Sequence, residues 1–221
     1  MAIAHLSTTQ AANNQGTVGS TTWAVTCDAN TSIVIVTCGY IHTGQSISTL
    51  TYDGTALTKV DREDNATNIG AEIWYLLSPT TGSSLNMVAT YTASIQQPRL
   101  AATCLSGTHA SPIGNSSKGG ANGSQPSTNL TTGTNNSWVI DAVGANAEEL
   151  SGVGAGQTQR WLSVNGNGNL DGGGSTETTT TAGSVTMSWT AGGASPNWAQ
   201  VCVEIKEAVT SSFTPKVTYF M

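Results

Sequence analysis

Two acidic residues that each share a strand-like run with tryptophan are the pair through which this chain could do chemistry: Glu72 in Glu-Ile-Trp, and Glu204 six residues after Trp198. Paired carboxylates on sheet faces hydrolyse glycosides, one protonating the leaving oxygen while the other attacks or activates water. An outward-facing glutamate on an edge strand writes the same text, and is the commoner origin of it. His5, His42 and His109 stand in no HExxH, HxH or HxxxD setting. His109, at the start of a polar stretch, is the general-base candidate by exposure alone. Ser106-Gly107 lacks the Gly-x-Ser-x-Gly frame of a nucleophile elbow. The run Asp61-Arg-Glu-Asp-Asn65 crowds hard oxygen ligands suited to calcium, but without the spacing of a calcium loop, and is expected at a solvated hairpin tip. The chain is expected to be no enzyme and to hold neither cofactor nor metal.

Six tryptophans divide between core and ligand platform. Trp23, Trp74, Trp138, Trp189 and Trp198 lie at inward strand positions and are expected in the core. Trp161, between Gln157-Thr-Gln-Arg and an Asn/Gly tract, is the one expected near an exposed rim, where it could stack on a sugar. Cys38, Cys104 and Cys202 sit in apolar runs as small core residues, and Cys27 precedes a turn. Free buried thiols are the first expectation; one or two disulfides remain open, with no pairing fixed by spacing.

The elements that position these residues follow from composition. Only 7 basic and 13 acidic residues occur among 221, and Thr, Ser, Asn and 25 Gly fill the place of charge. Lys, Glu and Arg normally build exposed helix faces, whereas Thr suits a half-exposed pleat and Asn and Gly suit tight turns. The expected class is all-β. With net charge −6 and no basic stripe, neither nucleic acid nor a membrane surface is an expected partner. The first residues carry no basic and apolar leader pattern, so a cytosolic site of folding is expected. Matches to the glycosylation acceptor, such as Asn30-Thr-Ser, arise by chance in so Asn-rich a chain.

Strand-like runs fall at 3–8, 22–27, 33–41, 49–52, 56–60, 69–77, 85–92, 99–106, 128–132, 137–145, 157–164, 176–181, 184–190 and 198–206. Asp53-Gly54 marks a tight hairpin. Pro98 separates two strands. Residues 107–127 and 165–174, rich in Gly, Ser and Asn, are expected as loops. So many short strands suit two packed antiparallel sheets. Residues 1–208 form one β-sandwich domain on this view, followed by an apolar arm, 209–221.

Several stretches resemble a family of β-sandwich proteins of tailed-phage virions and bacterial surfaces. They are Leu-Thr-Tyr-Asp-Gly-Thr-Ala-Leu-Thr-Lys-Val (50–60), Ala-Glu-Ile-Trp-Tyr-Leu-Leu-Ser-Pro (71–79) with Gly82, Gly-Ala-Gly-Gln-Thr (154–158), Ala-Gly-Ser-Val-Thr-Met-Ser-Trp (182–189) and Trp-Ala-Gln-Val-Cys-Val-Glu-Ile (198–205). The resemblance implies a jelly-roll-like or lectin-like sandwich with a virion, adhesion or carbohydrate-binding role. The expected function is therefore a non-enzymatic structural protein of a virus particle, a capsid-decorating or fibre/tail-associated subunit located in the virion. Its expected partners are copies of itself and a capsid or tail protein. Phe213, Val217, Tyr219, Phe220 and Met221 of the arm are the expected assembly contacts. The alternatives are a carbohydrate-binding or adhesion module binding glycans through Trp161, and a self-assembling extracellular filament subunit.

Overall fold

A computed structural model describes residues 1–65, 68–123, 125–146, 150–165, 169–192 and 196–209. The expected arm contacts Phe213, Val217, Tyr219, Phe220 and Met221 lie outside the described residues. Every regular element among the described residues is a β-strand, and every ladder is antiparallel.

In chain order the strands are β1 (Ala4–Gln10), β2 (Thr17–Thr26), β3 (Ile33–Ile41), β4 (Ile47–Tyr52), β5 (Thr55–Ala56), β6 (Thr58–Asp64), β7 (Ile69–Leu77) and β8 (Ser84–Ser106). After Gly107 come β9 (Thr108–Asn122), β10 (Ser127–Thr131), β11 (Trp138–Asn146), β12 (Leu150–Val153), β13 (Gln157–Ser163), β14 (Leu170–Thr178), β15 (Ser184–Ala191) and β16 (Asn197–Glu207). Strand β8 belongs to two layers. Its residues 84–96 pair with β2 and, over 87–91, with β4, and its residues 96–106 pair with β3 and β1. The turn from one layer to the other occurs at Gln97, held at φ 49°, and Pro98. Proline is accommodated because the ladder changes partners there.

The hydrophobic contacts define four stacked layers instead of the expected two. The outer layer of the first half is β2, β8, β4 and β5; it packs on the inner layer β1-β8-β3-β7-β6 through Val25, Leu50, Met87, Val34, Val36 and Ala102. The opposite face of that inner layer meets the sheet β13-β14-β11-β16-β9 through Ile33, Ile35, Ile73, Ile140, Val201 and Val203. The far side of this second inner sheet is covered by β10-β15-β12, with Leu130, Met187 and Trp189 against Val139, Val143 and Cys202. Inner strands are therefore covered on both faces. This explains why β3 and β11 are buried almost throughout, whereas outer strands β10 and β15 alternate buried and exposed.

Residues 1–106 and 108–207 have the same topology. The order β1-β8-β3-β7-β6 in one half is β9-β16-β11-β14-β13 in the other, and β2-β8-β4 is β10-β15-β12. The registers agree as well. Ile33 pairs with Leu105 and Leu77, as Trp138 pairs with Ile205 and Thr178. Val25 pairs with Leu85, as Leu130 pairs with Val185. Even a bulge recurs, between Lys59 and Asp61 and between Gln159 and Trp161. Gly39 and Gly144 hold equivalent positions and touch each other: a Cβ on Gly39 would lie 2.8 Å from the Gly144 Cα. A position that contacts its own counterpart marks the axis of an isologous pair. The two halves are a covalent pseudo-dimer joined face to face.

Both tracts expected as loops contain strands. β9 occupies most of 107–127, and β14 begins at Leu170, inside the Gly/Asn tract. Their glycines are required by close packing. A side chain at Gly172 would strike Arg99, at Gly173 the Trp189 ring, and at Gly174 the Trp161 indole. Small residues there let large ones lie flat on the backbone.

Candidate functional site

Four carboxylates are buried among the described residues, Glu72, Asp141, Asp171 and Glu204, and each is fixed by the strand that carries it. Asp171, on β14, accepts from Leu150 N at 2.9 Å and Asn165 N at 2.7 Å. Alternation along β7 turns Ile69, Ala71 and Ile73 to the central interface and Glu72 and Trp74 to the first half's outer core. There Glu72 accepts hydrogen bonds from Tyr40 Oη at 2.5 Å, Trp74 Nε1 at 2.8 Å and Ile47 N at 3.2 Å. Lys59 Nζ stands 2.9 Å from it and also lies over the Trp74 ring. Burial, followed by the Glu72 charge, pushes the Tyr40 hydroxyl far up and the Cys38 thiol well above its ordinary range. Both therefore stay protonated, and Tyr40 serves Glu72 as a donor.

Asp141 occupies the second half's outer core. Its Oδ1 accepts from Ser175 N at 2.6 Å and Ser175 Oγ at 2.8 Å, and its Oδ2 from Trp189 Nε1 and Gln200 Nε2, both at 2.7 Å. Complete burial raises its affinity for a proton in spite of these donors. Glu204, on β16, ties the β10–β11 loop to the sheet. It accepts from Asn115 N (3.2 Å), Gly133 N (3.0 Å), Thr134 N (2.9 Å), Thr134 Oγ1 (2.8 Å) and Ser137 Oγ (2.8 Å). Burial works to raise its pKa, but the donors outweigh it and hold the carboxyl at about 2.

Glu72 and Glu204 do not converge. Glu72 faces the first outer layer and Glu204 the opposite one, with both inner sheets between them. A shared substrate cannot touch both. The glycosidase pairing considered from sequence is thus not assembled, and strand parity is the reason.

The other sequence candidates separate too. Trp161 is 3 % exposed, and its indole N–H is donated to Thr37 Oγ1 at 2.8 Å across the inner sheets. The rim position expected for it is corrected: the bulge after Gln159 and the bare Gly174 draw the ring inward. Trp23, Trp74, Trp189 and Trp198 are buried as expected, and Trp138 is partly buried beneath the Arg160 guanidinium. The acidic run 61–65 leads into the β6–β7 hairpin turn, which Asn65 opens, and most of it is strand. It lies in and after β6, where Lys118 Nζ meets Asp61 Oδ1 at 3.1 Å and Arg62 Nε meets Asp64 Oδ1 at 2.7 Å. Asn65 closes this rim, donating to the Ala121 and Trp198 carbonyls at 2.7 and 2.8 Å.

His109 lines a cavity of about 610 Å³ with Asn135, Asn136, Lys206 and Glu207. Its Nδ1 accepts the Ser111 N–H at 2.9 Å. None of the four buried carboxylates lines this cavity. Among the described residues no three His, Cys, Asp or Glu side chains gather as a metal site, and no helix is long and apolar enough to cross a membrane.

Sequence reading missed Asp141 and the Cys27–Cys104 contact, whose Sγ atoms lie 2.8 Å apart. It also missed the repeat, although a signal was present: Ser84-Leu-Asn-Met87-Val-Ala-Thr90 matches Ser184-Val-Thr-Met187-Ser-Trp-Thr190 at three positions. Ser32, Val34, Ile35 and Gly39 likewise match Ser137, Val139, Ile140 and Gly144. Comparison with family models, with curated proteins and with solved structures finds no match.

Proposed function

We propose that this protein is a non-enzymatic structural protein of a virus particle, a capsid-decorating or fibre/tail-associated subunit acting through contacts with copies of itself and with the particle surface. Each half is, on this proposal, a jelly-roll-like sandwich. The ladder order in both halves, in which the fold's first and last strands are neighbours and β8 or β15–β16 serves both layers, supports that assignment. The observation that carries the functional reading is the use of the four buried carboxylates, Glu72, Asp141, Asp171 and Glu204. Each is occupied by internal donors that lock strands and loops together. Such groups hold a shape and leave the solvent faces to Thr, Ser and Asn, as suits a shell component. Fold alone hosts many functions, so the assignment to a particle rests on this use of polar groups together with the sequence resemblance.

The arm of residues 209–221 supplies the docking contact, adding to a neighbour's sheet edge through backbone hydrogen bonds, with Phe213, Val217, Tyr219, Phe220 and Met221 filling pockets. Sedimentation and electron microscopy of the purified full chain, alone and mixed with virus-like particles from its source, test this. Homo-oligomers or decorated particles that disappear when residues 210–221 are deleted are the expected result. A full-length chain that stays monomeric and never sediments with particles overturns the proposal, as does assembly unaffected by the deletion.

A further inference from the structure

We propose that Cys27 and Cys104 form a disulfide, a redox-controlled staple between the outer and inner layers of the first half. Cys27 follows the last residue of outer strand β2, and Cys104 lies in the inner-layer part of β8. Both are fully buried, and their Sγ atoms lie 2.8 Å apart. The pair is isolated from the other thiols: Cys38 Sγ is directed at the Glu72 carbonyl, 3.1 Å away, and Cys202 lies in the core of the second half.

The internal repeat gives an independent reason to see a cross-link here. Val34 pairs with Cys104 where Val139 pairs with Glu204, so Cys104 and Glu204 hold the same position. The β2 register places Cys27 at the position of Thr132, the residue before Gly133 and Thr134, which Glu204 binds. Both halves therefore tether the β2–β3 or β10–β11 loop to the same point of the same strand. The second half does so with a carboxylate and backbone donors. The first half has a sulfur, Cys104, where the second has the Glu204 carboxylate, with the Cys27 sulfur beside it, and a covalent bond performs the equivalent tethering.

The chemistry balances with a small-molecule disulfide as oxidant. One thiolate attacks oxidised glutathione, releasing one glutathione thiol and leaving a mixed disulfide. The second cysteine, as its thiolate, then displaces the other glutathione, and the Cys27–Cys104 bond forms. In total two thiol protons are released, two electrons pass to glutathione, and the protein loses two hydrogens. Because both sulfurs are buried, oxidation accompanies folding, and the folded protein resists reduction.

The test folds the full chain in a glutathione redox buffer, unfolds it in acid, alkylates free thiols and maps peptides without reductant, with cleavage between Cys27 and Cys38. The expected result is one bond, Cys27 to Cys104, with Cys38 and Cys202 alkylated. Reduction before melting should lower the midpoint by about 10 °C, given the long loop closed. The Cys38→Ala/Cys202→Ala variant should keep the bond, and Cys27→Ser/Cys104→Ser should melt like reduced wild type. Four alkylated thiols in the wild-type chain, or a bond joining any other pair, overturns the proposal.

Discussion

Replacing Glu204 with glutamine removes one charge from the second half while keeping its shape, and the consequence should be large and pH-dependent. A carboxyl held at about 2 instead of its ordinary 4.5 contributes about 3 kcal/mol of stability once it is ionised in both folded and unfolded chains. The amide also cannot satisfy both sets of donors. Oε1 serves Thr134 and Ser137, and Oε2 serves Asn115 N and Gly133 N, so either orientation of glutamine sets an N–H against an N–H. The folded pKa is depressed, so the contribution is complete above the unfolded value near 4.5 and fades as pH falls towards 2. Urea unfolding of wild type and Glu204→Gln at pH 7, 5, 4 and 3 measures this directly. At pH 7 the variant should lose about 3 kcal/mol, and the gap should shrink steadily below pH 4.5. An undiminished gap at pH 3 would refute the charge-based reasoning and leave a packing effect in its place. No gap at pH 7 would refute the tether itself.

Asp141→Asn should show the opposite trend. Burial raises the Asp141 pKa, so the wild type loses stability as pH rises through its ionisation, and the difference between the two proteins should narrow between pH 4 and 7 in the same urea assay. Lys59→Met leaves Glu72 fully buried with only Arg62, 3.9 Å away, as a cation, and should cost about 3 kcal/mol by thermal or urea unfolding. Gly39→Ala places a methyl 2.8 Å from backbone on the pseudo-axis and should destabilise by about 2 kcal/mol, with Gly144→Ala close to it, read as a fall in melting midpoint. Equal stability of wild type and Gly39→Ala would show that the inner sheets can part without penalty.

Strand identity was legible wherever burial followed a simple rule. The continuous runs 33–41 and 69–77 match β3 and β7 to the residue, because both faces of an inner sheet demand apolar side chains. Asp53-Gly54 is the hairpin expected, with both residues at positive φ. Strands β9 and β14 were illegible because their glycines serve neighbours: the information lies in the bulk of Glu204 over Gly114 and of Trp189 and Trp161 over Gly173 and Gly174, at other places in the sequence. Trp161 misled for the same reason, since its burial depends on a bulge and on Gly174. The carboxylate pair could be found by residue type but not judged. Which face Glu72 and Glu204 take follows from parity on strands in different halves, and that requires the layering to be known.

The contact through Gly39 and Gly144 has one further consequence. Two free copies meeting this way would come apart on dilution, and every substitution would be felt twice at the axis. Joined in one chain, the copies meet at a local concentration that dilution cannot lower, and their sequences are released from having to agree. A carboxylate could then take over in one copy what sulfur does in the other. The outer sheets became free to diverge as two unlike exteriors on one body.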